Sequence, residues 1–327
     1  MADTVGIVGL GIMGGAIARN LVAVGWRAIG FDIDPARSAE LEADGVEIAE
    51  SVAAAASLAP SLITSLPSPQ AALAVAREIA SAGGKRRVIL ETSTLALEDK
   101  LAFEAILREA GHVALDCPLS GTGAQARTRD LVVYASGGSA AIEAHRPLFA
   151  GFAREAHDLG AFGNGTRMKL VANLLVAIHN VASAEAMVLA IKAGLAPRQV
   201  VELIGAGAAT SRIFELRAPM MAESRYEPPT MRIGTWQKDM AVIGAFAQAL
   251  GAPTPLFCAT EPIYAAAMGL GFADQDTAAV CAVLERMAGI ERAASPPAVA
   301  RDPAALELPT TEPRVQAPDN SQGGSVP

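Results

Sequence analysis

Three glycines and an aspartate stand where a diphosphate could be held. Gly9-Leu10-Gly11-Ile12-Met13-Gly14 has the spacing GxGxxG, directly after the apolar run 5–8 and ahead of a helical pattern reaching Asn20. In such a motif the first glycine permits a tight turn and the second lets the backbone approach a pyrophosphate. The third lets the helix pack closely on the strand. Free N–H groups and the helix dipole then face the phosphates. Without a ligand the same residues would make an ordinary strand-to-helix turn. Asp32 closes the second apolar run. A carboxylate there accepts hydrogen bonds from both hydroxyls of an adenosine ribose and repels a 2′-phosphate. No basic residue occupies 33–36, which favours NAD over NADP, although Arg37 is within reach of a phosphate. Asp34 before Pro35 reads as a helix N-cap.

These residues need a sheet to stand on. The pattern predicts strands over 4–8, 28–31, 62–66, 88–91 and 113–116, alternating with helices over 35–43, 70–80 and 97–109. Two further strands, 131–135 and 156–159, are expected to close the sheet around a helix over 140–148. Such alternation indicates βαβ units and a mostly parallel sheet. The fold class is therefore α/β, with an N-terminal dinucleotide-binding domain over 1–164. After Gly165 the strand signals stop. One long interdomain helix over 168–193 ends at Gly194, and Pro197 starts the next. Further helices over 197–204, 213–221, 235–250, 253–268 and 276–288 complete a C-terminal all-α domain over 165–292. The segment 293–327 holds 7 of the 20 prolines and is expected to be a disordered tail, too poor in apolar residues to order itself.

Composition fits two packed domains. The 327 residues are 51% hydrophobic and only 4% aromatic, so Ala, Val, Leu and Ile must fill the cores. A net charge of −8 gives no electrostatic footprint for nucleic acid or an anionic membrane. Three scattered cysteines form no disulfide framework, which points to a reducing cytoplasm. The apolar run 170–191 is broken by Asn173, His179, Asn180 and Glu185, so a buried core helix is expected rather than a membrane span.

Three more motifs follow in order. They are Asp116-Cys117-Pro118-Leu119-Ser120-Gly121-Thr122, then Gly163-Asn164-Gly165-Thr166-Arg167-Met168-Lys169 with Asn173 four residues on, then Gln237-Lys238-Asp239. Together with the glycine turn they resemble the β-hydroxyacid dehydrogenase family over roughly 4–290. The resemblance implies a Rossmann domain, a helical domain like that of 6-phosphogluconate dehydrogenase that also mediates subunit contact, and an active site between them. A homodimer or homotetramer acting on a small 3-hydroxy acid or its semialdehyde is then expected. The resemblance gives Lys169 the catalytic role, and its chemistry agrees. Lys169 is read as opening the long helix, with Asn173 on the same face one turn later. An ammonium losing solvent in a cleft has its neutral form favoured and can trade a proton with a hydroxyl. Asn173 would fix that hydroxyl.

Ser120, Gly121 and Thr122 can cradle a substrate carboxylate. Thr122 and Gln125 stand where the family more often has glycine, which bears on substrate preference. Leu66-Pro67 and Ser93-Thr94 resemble family segments lining the nicotinamide ribose, at strand ends where ligands gather. Ser93-Thr94 could equally be a helix N-cap. Lys238 could reach across to cofactor or substrate, and Arg212 could pair with a substrate anion or make a surface salt bridge. His112, His145, His157 and His179 show no ligand spacing, so no metal is expected. Sugar-phosphate decarboxylating relatives carry a glutamate seven residues after the lysine, where this chain has Val176. Two other readings stay open: a non-catalytic dinucleotide sensor, or an imine or ketone reductase on the same fold.

Overall fold

The computed structural model describes residues 3–292, so the tail expected over 293–327 lies outside the described residues. Six parallel strands make the main sheet: β1 Thr4–Val8, β2 Arg27–Phe31, β3 Glu47–Ile48, β4 Ser61–Thr64, β5 Val88–Glu91 and β6 Val113–Asp116. Their order is β3-β2-β1-β4-β5-β6, so the winding reverses beside β1. Ligands bind at the carboxyl ends of strands at such a reversal. Helices α1 Ile12–Ala23, α2 Pro35–Ala43, α3 Val52–Leu58, α4 Pro69–Ser81 and α5 Leu97–Glu109 cover the faces. Ile7, Ile29, Leu62, Ile63, Ile89 and Leu90 are fully buried, as near-continuous apolar strands must be when both faces are covered. Two elements of this sheet and its covering helices are absent from the expected set. β3 has only two residues, too short for a period, and α3 is nearly all small residues. Its start was marked by Ser51, whose hydroxyl accepts from the Ala54 N–H at 3.0 Å.

The closing strands do not join this sheet. β7 Leu119–Ser120, β8 Val132–Ala135 and β9 Glu155–Asp158 form a separate three-stranded sheet. Among the described residues a single isolated bridge, Asp116 to Ser136, links the two. Pro118 lacks an N–H and cannot extend the β6 ladder, so the chain turns away and β7 pairs antiparallel with β8. A short helix, α6 Gly123–Arg127, lies between them. The helix expected over 140–148 is two helices, α7 Ser139–Ala144 and α8 Arg146–Phe152. Pro147 accounts for the break, because its ring would clash with the carbonyl one turn back in a continuous helix.

α9 Asn164–Lys192 leaves this half as one helix of 29 residues. It starts in the Gly-Asn-Gly segment rather than at Met168, so Lys169 sits in its second turn instead of opening it. Around α9 pack α10 Pro197–Gly205, α11 Arg212–Glu223, α12 Ile233–Ala249, α13 Pro255–Gly269, a 3-10 turn Thr277–Ala279 and α14 Val280–Met287. The buried positions Leu170, Asn173, Ala177, Asn180, Ala184 and Met187 trace one face of α9 at spacings of three and four. Phe214, Met221, Trp236, Met240 and Tyr264 fill the space against it. α9 is the one helix among the described residues long and apolar enough to cross a membrane. Its buried polar Asn180 instead donates to the Tyr264 hydroxyl at 2.9 Å and the Thr277 carbonyl at 2.8 Å.

Candidate active site

The glycine turn is shaped by close approach. Gly9 has φ +90°, and a Cβ there would lie 2.2 Å from the Ser65 carbonyl oxygen. A Cβ on Gly14 would lie 1.9 Å from the Gly9 carbonyl oxygen, which fixes α1 on β1. A Cβ on Gly11 would meet only the Arg37 guanidinium, at 3.6 Å. That open side, at the start of a helix whose first N–H groups have no helical acceptor, fits a dinucleotide's pyrophosphate. Ile12 is exposed beside it and Met13 packs inward. The Leu10 N–H donates to Asp32 Oδ2 at 2.7 Å, and the Asp34 N–H donates to Oδ1 at 2.8 Å. Asp32 thus holds both the glycine turn and its own loop, and its side chain is 4% exposed. Arg37 stands 3.5 Å from Oδ2. Asp34 caps α2 through the Ala36 N–H.

The next two strand ends are tied together. β4 ends at Thr64, so Leu66 and exposed Pro67 lie in the loop beyond it rather than in the strand. The Leu66 N–H donates to Ser93 Oγ at 2.8 Å. Ser93 is therefore a loop tie, and Ala96 is the N-cap of α5. Lys238, on α12, donates from Nζ to the Thr94 carbonyl at 2.8 Å. Two residues expected at the cofactor thus meet each other, and they link the helical half to the sheet.

Lys169, Asn173 and Asp239 converge where α9 meets α12. Lys169 is half-buried and, among the described residues, makes no hydrogen bond or ion pair. Burial lowers its pKa below the ordinary lysine value; the charge of Asp239 opposes this and that of Lys238 adds to it. Asn173 is 4% exposed, and its side-chain amide donates to Asp239 Oδ2 at 3.2 Å. Burial raises the pKa of Asp239, while Lys238 and Lys169 pull it back. Lys238 Nζ lies 3.6 Å from Asp239 Oδ1. The sequence showed Asp239 only as part of a motif; nothing local marked it as the partner of Asn173.

The carboxylate-cradle residues lie between β7 and the start of α6. Ser120 is in β7, and Gly121, with φ +133°, has no room for a Cβ, which would lie 2.6 Å from Leu131 Cδ2. Thr122 is the N-cap of α6, and its N–H donates to Gln125 Oε1 at 3.0 Å. Thr122 and Gln125 together make a capping box, so this N–H is already used. Arg212 starts α11 on the surface, 3.0 Å from Glu215 and 3.9 Å from Asp130. That is the salt-bridge alternative.

A glycine turn at a winding reversal, an acidic residue at the end of the second strand and a lysine at the domain junction define an NAD(P)-dependent oxidoreductase. Residues 4–163 match the NAD binding domain of 6-phosphogluconate dehydrogenase. Residues 163–284 match the NAD-binding domain of NADP-dependent 3-hydroxyisobutyrate dehydrogenase. The chain belongs to the β-hydroxyacid dehydrogenase family. It is 30% identical to glyoxylate/succinic semialdehyde reductase 1 of Arabidopsis thaliana over 84% of this chain and 96% of that protein. It is also 30% identical to L-threonate dehydrogenase of Haemophilus influenzae, over 85% of this chain and 93% of the relative. The solved 3-hydroxyisobutyrate dehydrogenase of Mycobacterium tuberculosis superposes with a TM-score of 0.79 at 27% identity, over 87% of this chain and 99% of that one. An imine reductase from a Pseudomonas species, 20% identical with a TM-score of 0.57, shares the fold alone.

Proposed function

We propose that this enzyme interconverts a small 3-hydroxy acid and its aldehyde or keto form, with NAD preferred and Lys169 exchanging the hydroxyl proton. The observation carrying this reading is an unpaired, partly desolvated amine on α9, one turn from Asn173, at the junction of the two halves. Bound NAD would supply the hydride acceptor. Neutral Lys169 takes the proton from the substrate hydroxyl; protonated, it returns one to the developing alkoxide. Asn173, held through Asp239 by one amide hydrogen, keeps the other to donate to the substrate oxygen and its amide oxygen to accept from the protonated amine. Ser120 and Gly121 provide the carboxylate end of the site, with Thr122 shaping the loop.

Asp32 supports NAD, since its carboxylate would face a 2′-phosphate. Arg37 beside it supports a secondary use of NADP. The names of the relatives point to short acids bearing an aldehyde or hydroxyl group. The exposed apolar row Met168, Val171 and Leu175 on α9 supports a homodimer or homotetramer, to be read by sedimentation. We place the enzyme in the cytoplasm. The test of the reaction is a panel of 3-hydroxyisobutyrate, glycerate, threonate, glyoxylate and succinic semialdehyde with each cofactor, following absorbance of the reduced nicotinamide. Turnover of an anionic member is expected. Turnover confined to imines or to ketones without a carboxylate would overturn the reading.

A further inference from the structure

The Asp116 carboxylate, in the middle of the substrate-loop motif, is spent on the start of α9. Its Oδ2 accepts from the Thr166 N–H at 2.7 Å and its Oδ1 from the Thr166 hydroxyl at 2.8 Å. The same Oδ1 lies 3.0 Å from Nζ of Lys100, which is also paired with the Glu91 carboxylate. Glu91, Lys100 and Asp116 have no exposed surface at all. Burial works against the Lys100 charge, but the two carboxylates outweigh it and hold the pKa above the ordinary lysine value. Glu91 Oε1 accepts from the Ser93 N–H at 3.1 Å, and Ser93 Oγ accepts from the Leu66 N–H at 2.8 Å. One continuous chain of polar contacts therefore runs from the loop after β4, through the loop after β5, to the first turn of α9.

We propose that Lys100 is a positioning residue for the redox reaction: its buried ammonium locks these three segments together and so fixes Lys169 against the cofactor-binding loops. Without its ammonium the two buried carboxylates face each other with no compensating charge. If the two carboxylates move apart to relieve that repulsion, the charge-assisted bond from the Thr166 N–H to Asp116 is strained. There is no slack to absorb the change, because a Cβ on neighbouring Gly165 would already lie 2.2 Å from the Tyr134 carbonyl oxygen. Lys169 is one turn beyond Thr166, so a tilt of that first turn moves its amine directly. Mere filling of this space would be served as well by an apolar side chain.

This inference rests on the acid–base role of Lys169, so Lys100→Met is assayed beside Lys169→Ala in the full chain, with NAD and the best acid of the panel. Lys100→Met is expected to lose about 10- to 100-fold in kcat, the scale of an ångström-sized misplacement. KM for the acid and the cofactor dissociation constant should change by less than about threefold. The pH limb set by Lys169 should move as well. A folded Lys100→Met enzyme with the parent kcat and pH profile would overturn the proposal. If Lys100→Met does not fold, Glu91→Gln/Lys100→Met, which removes the surplus carboxylate, carries the same test: reduced kcat supports the proposal and parental kcat overturns it. Full activity in Lys169→Ala would instead overturn the acid–base reading. Its inactivity beside a parental Lys100→Met would sink only the positioning role.

Discussion

Asn173 and Asp239 are 66 positions apart in the chain, yet the amide of one donates to the carboxylate of the other at 3.2 Å inside the domain junction. This contact orients Asn173 and places a carboxylate near the amine of Lys169, whose pKa that charge raises against the effect of burial. Asp239 is thus the electrostatic counterweight of the candidate acid–base group.

Lys169→Ala should reduce kcat by about 10² or more, the cost of removing a general acid–base group. Cofactor affinity, read by nicotinamide fluorescence, should be unchanged, because the glycine turn and Asp32 lie elsewhere. An equal loss of cofactor affinity would mean that the lysine only holds the site together.

The ammonium of Lys169 also costs stability. Its folded pKa lies below the ordinary 10.5, so the folded protein binds this proton less tightly than the unfolded chain does. The penalty is fully present below the folded pKa and fades as pH rises toward 10.5. Lys169→Met should therefore have a higher melting temperature than the parent at pH 7, with the gain shrinking near pH 10. A lower melting temperature at pH 7 would contradict the burial account.

Asp239→Asn keeps an acceptor for the Asn173 amide but removes the negative charge. The pKa of Lys169 should fall further, because the one influence raising it is gone. For the oxidation direction, which needs the neutral amine, the rising limb of kcat/KM should shift to lower pH. Profiles from pH 6 to 11 check this, and an upward shift would contradict the assigned electrostatics.

Asp32→Ser should raise the ratio of NADP to NAD use by at least about tenfold, equivalent to relieving ~1.4 kcal/mol of repulsion. Overall efficiency should fall too, because the Leu10 and Asp34 N–H groups lose a charged acceptor. Steady-state kinetics with both cofactors give the ratio; no change in it would remove Asp32 from the ribose site.

Gly14→Ala puts a methyl group 1.9 Å from the Gly9 carbonyl oxygen, so helix and turn must part. The overpacking should cost about 1–3 kcal/mol of stability. It should also abolish saturable NAD binding, since the turn that approaches the pyrophosphate is displaced. Thermal unfolding and cofactor titration read the two effects separately.

Local chemistry made much of this protein legible without coordinates. The strand, glycine turn and helix of residues 4–23 follow from backbone sterics and apolar periodicity, and Asp34 and Pro35 mark a helix start by capping alone. Lys169 and Asn173 share a helix face by spacing alone. What the sequence left open depended on distant partners. Pro118 diverts the chain so that β8 and β9 leave the main sheet, and Thr122 pairs with Gln125 in a capping box. Lys238 finds the Thr94 carbonyl across 144 positions, and Lys100 finds two carboxylates it can neutralise only once water is excluded. Periodicity along a chain encodes which face is apolar. It does not encode which buried charges will be forced to share a low-dielectric interior, and that decision belongs to the packed structure.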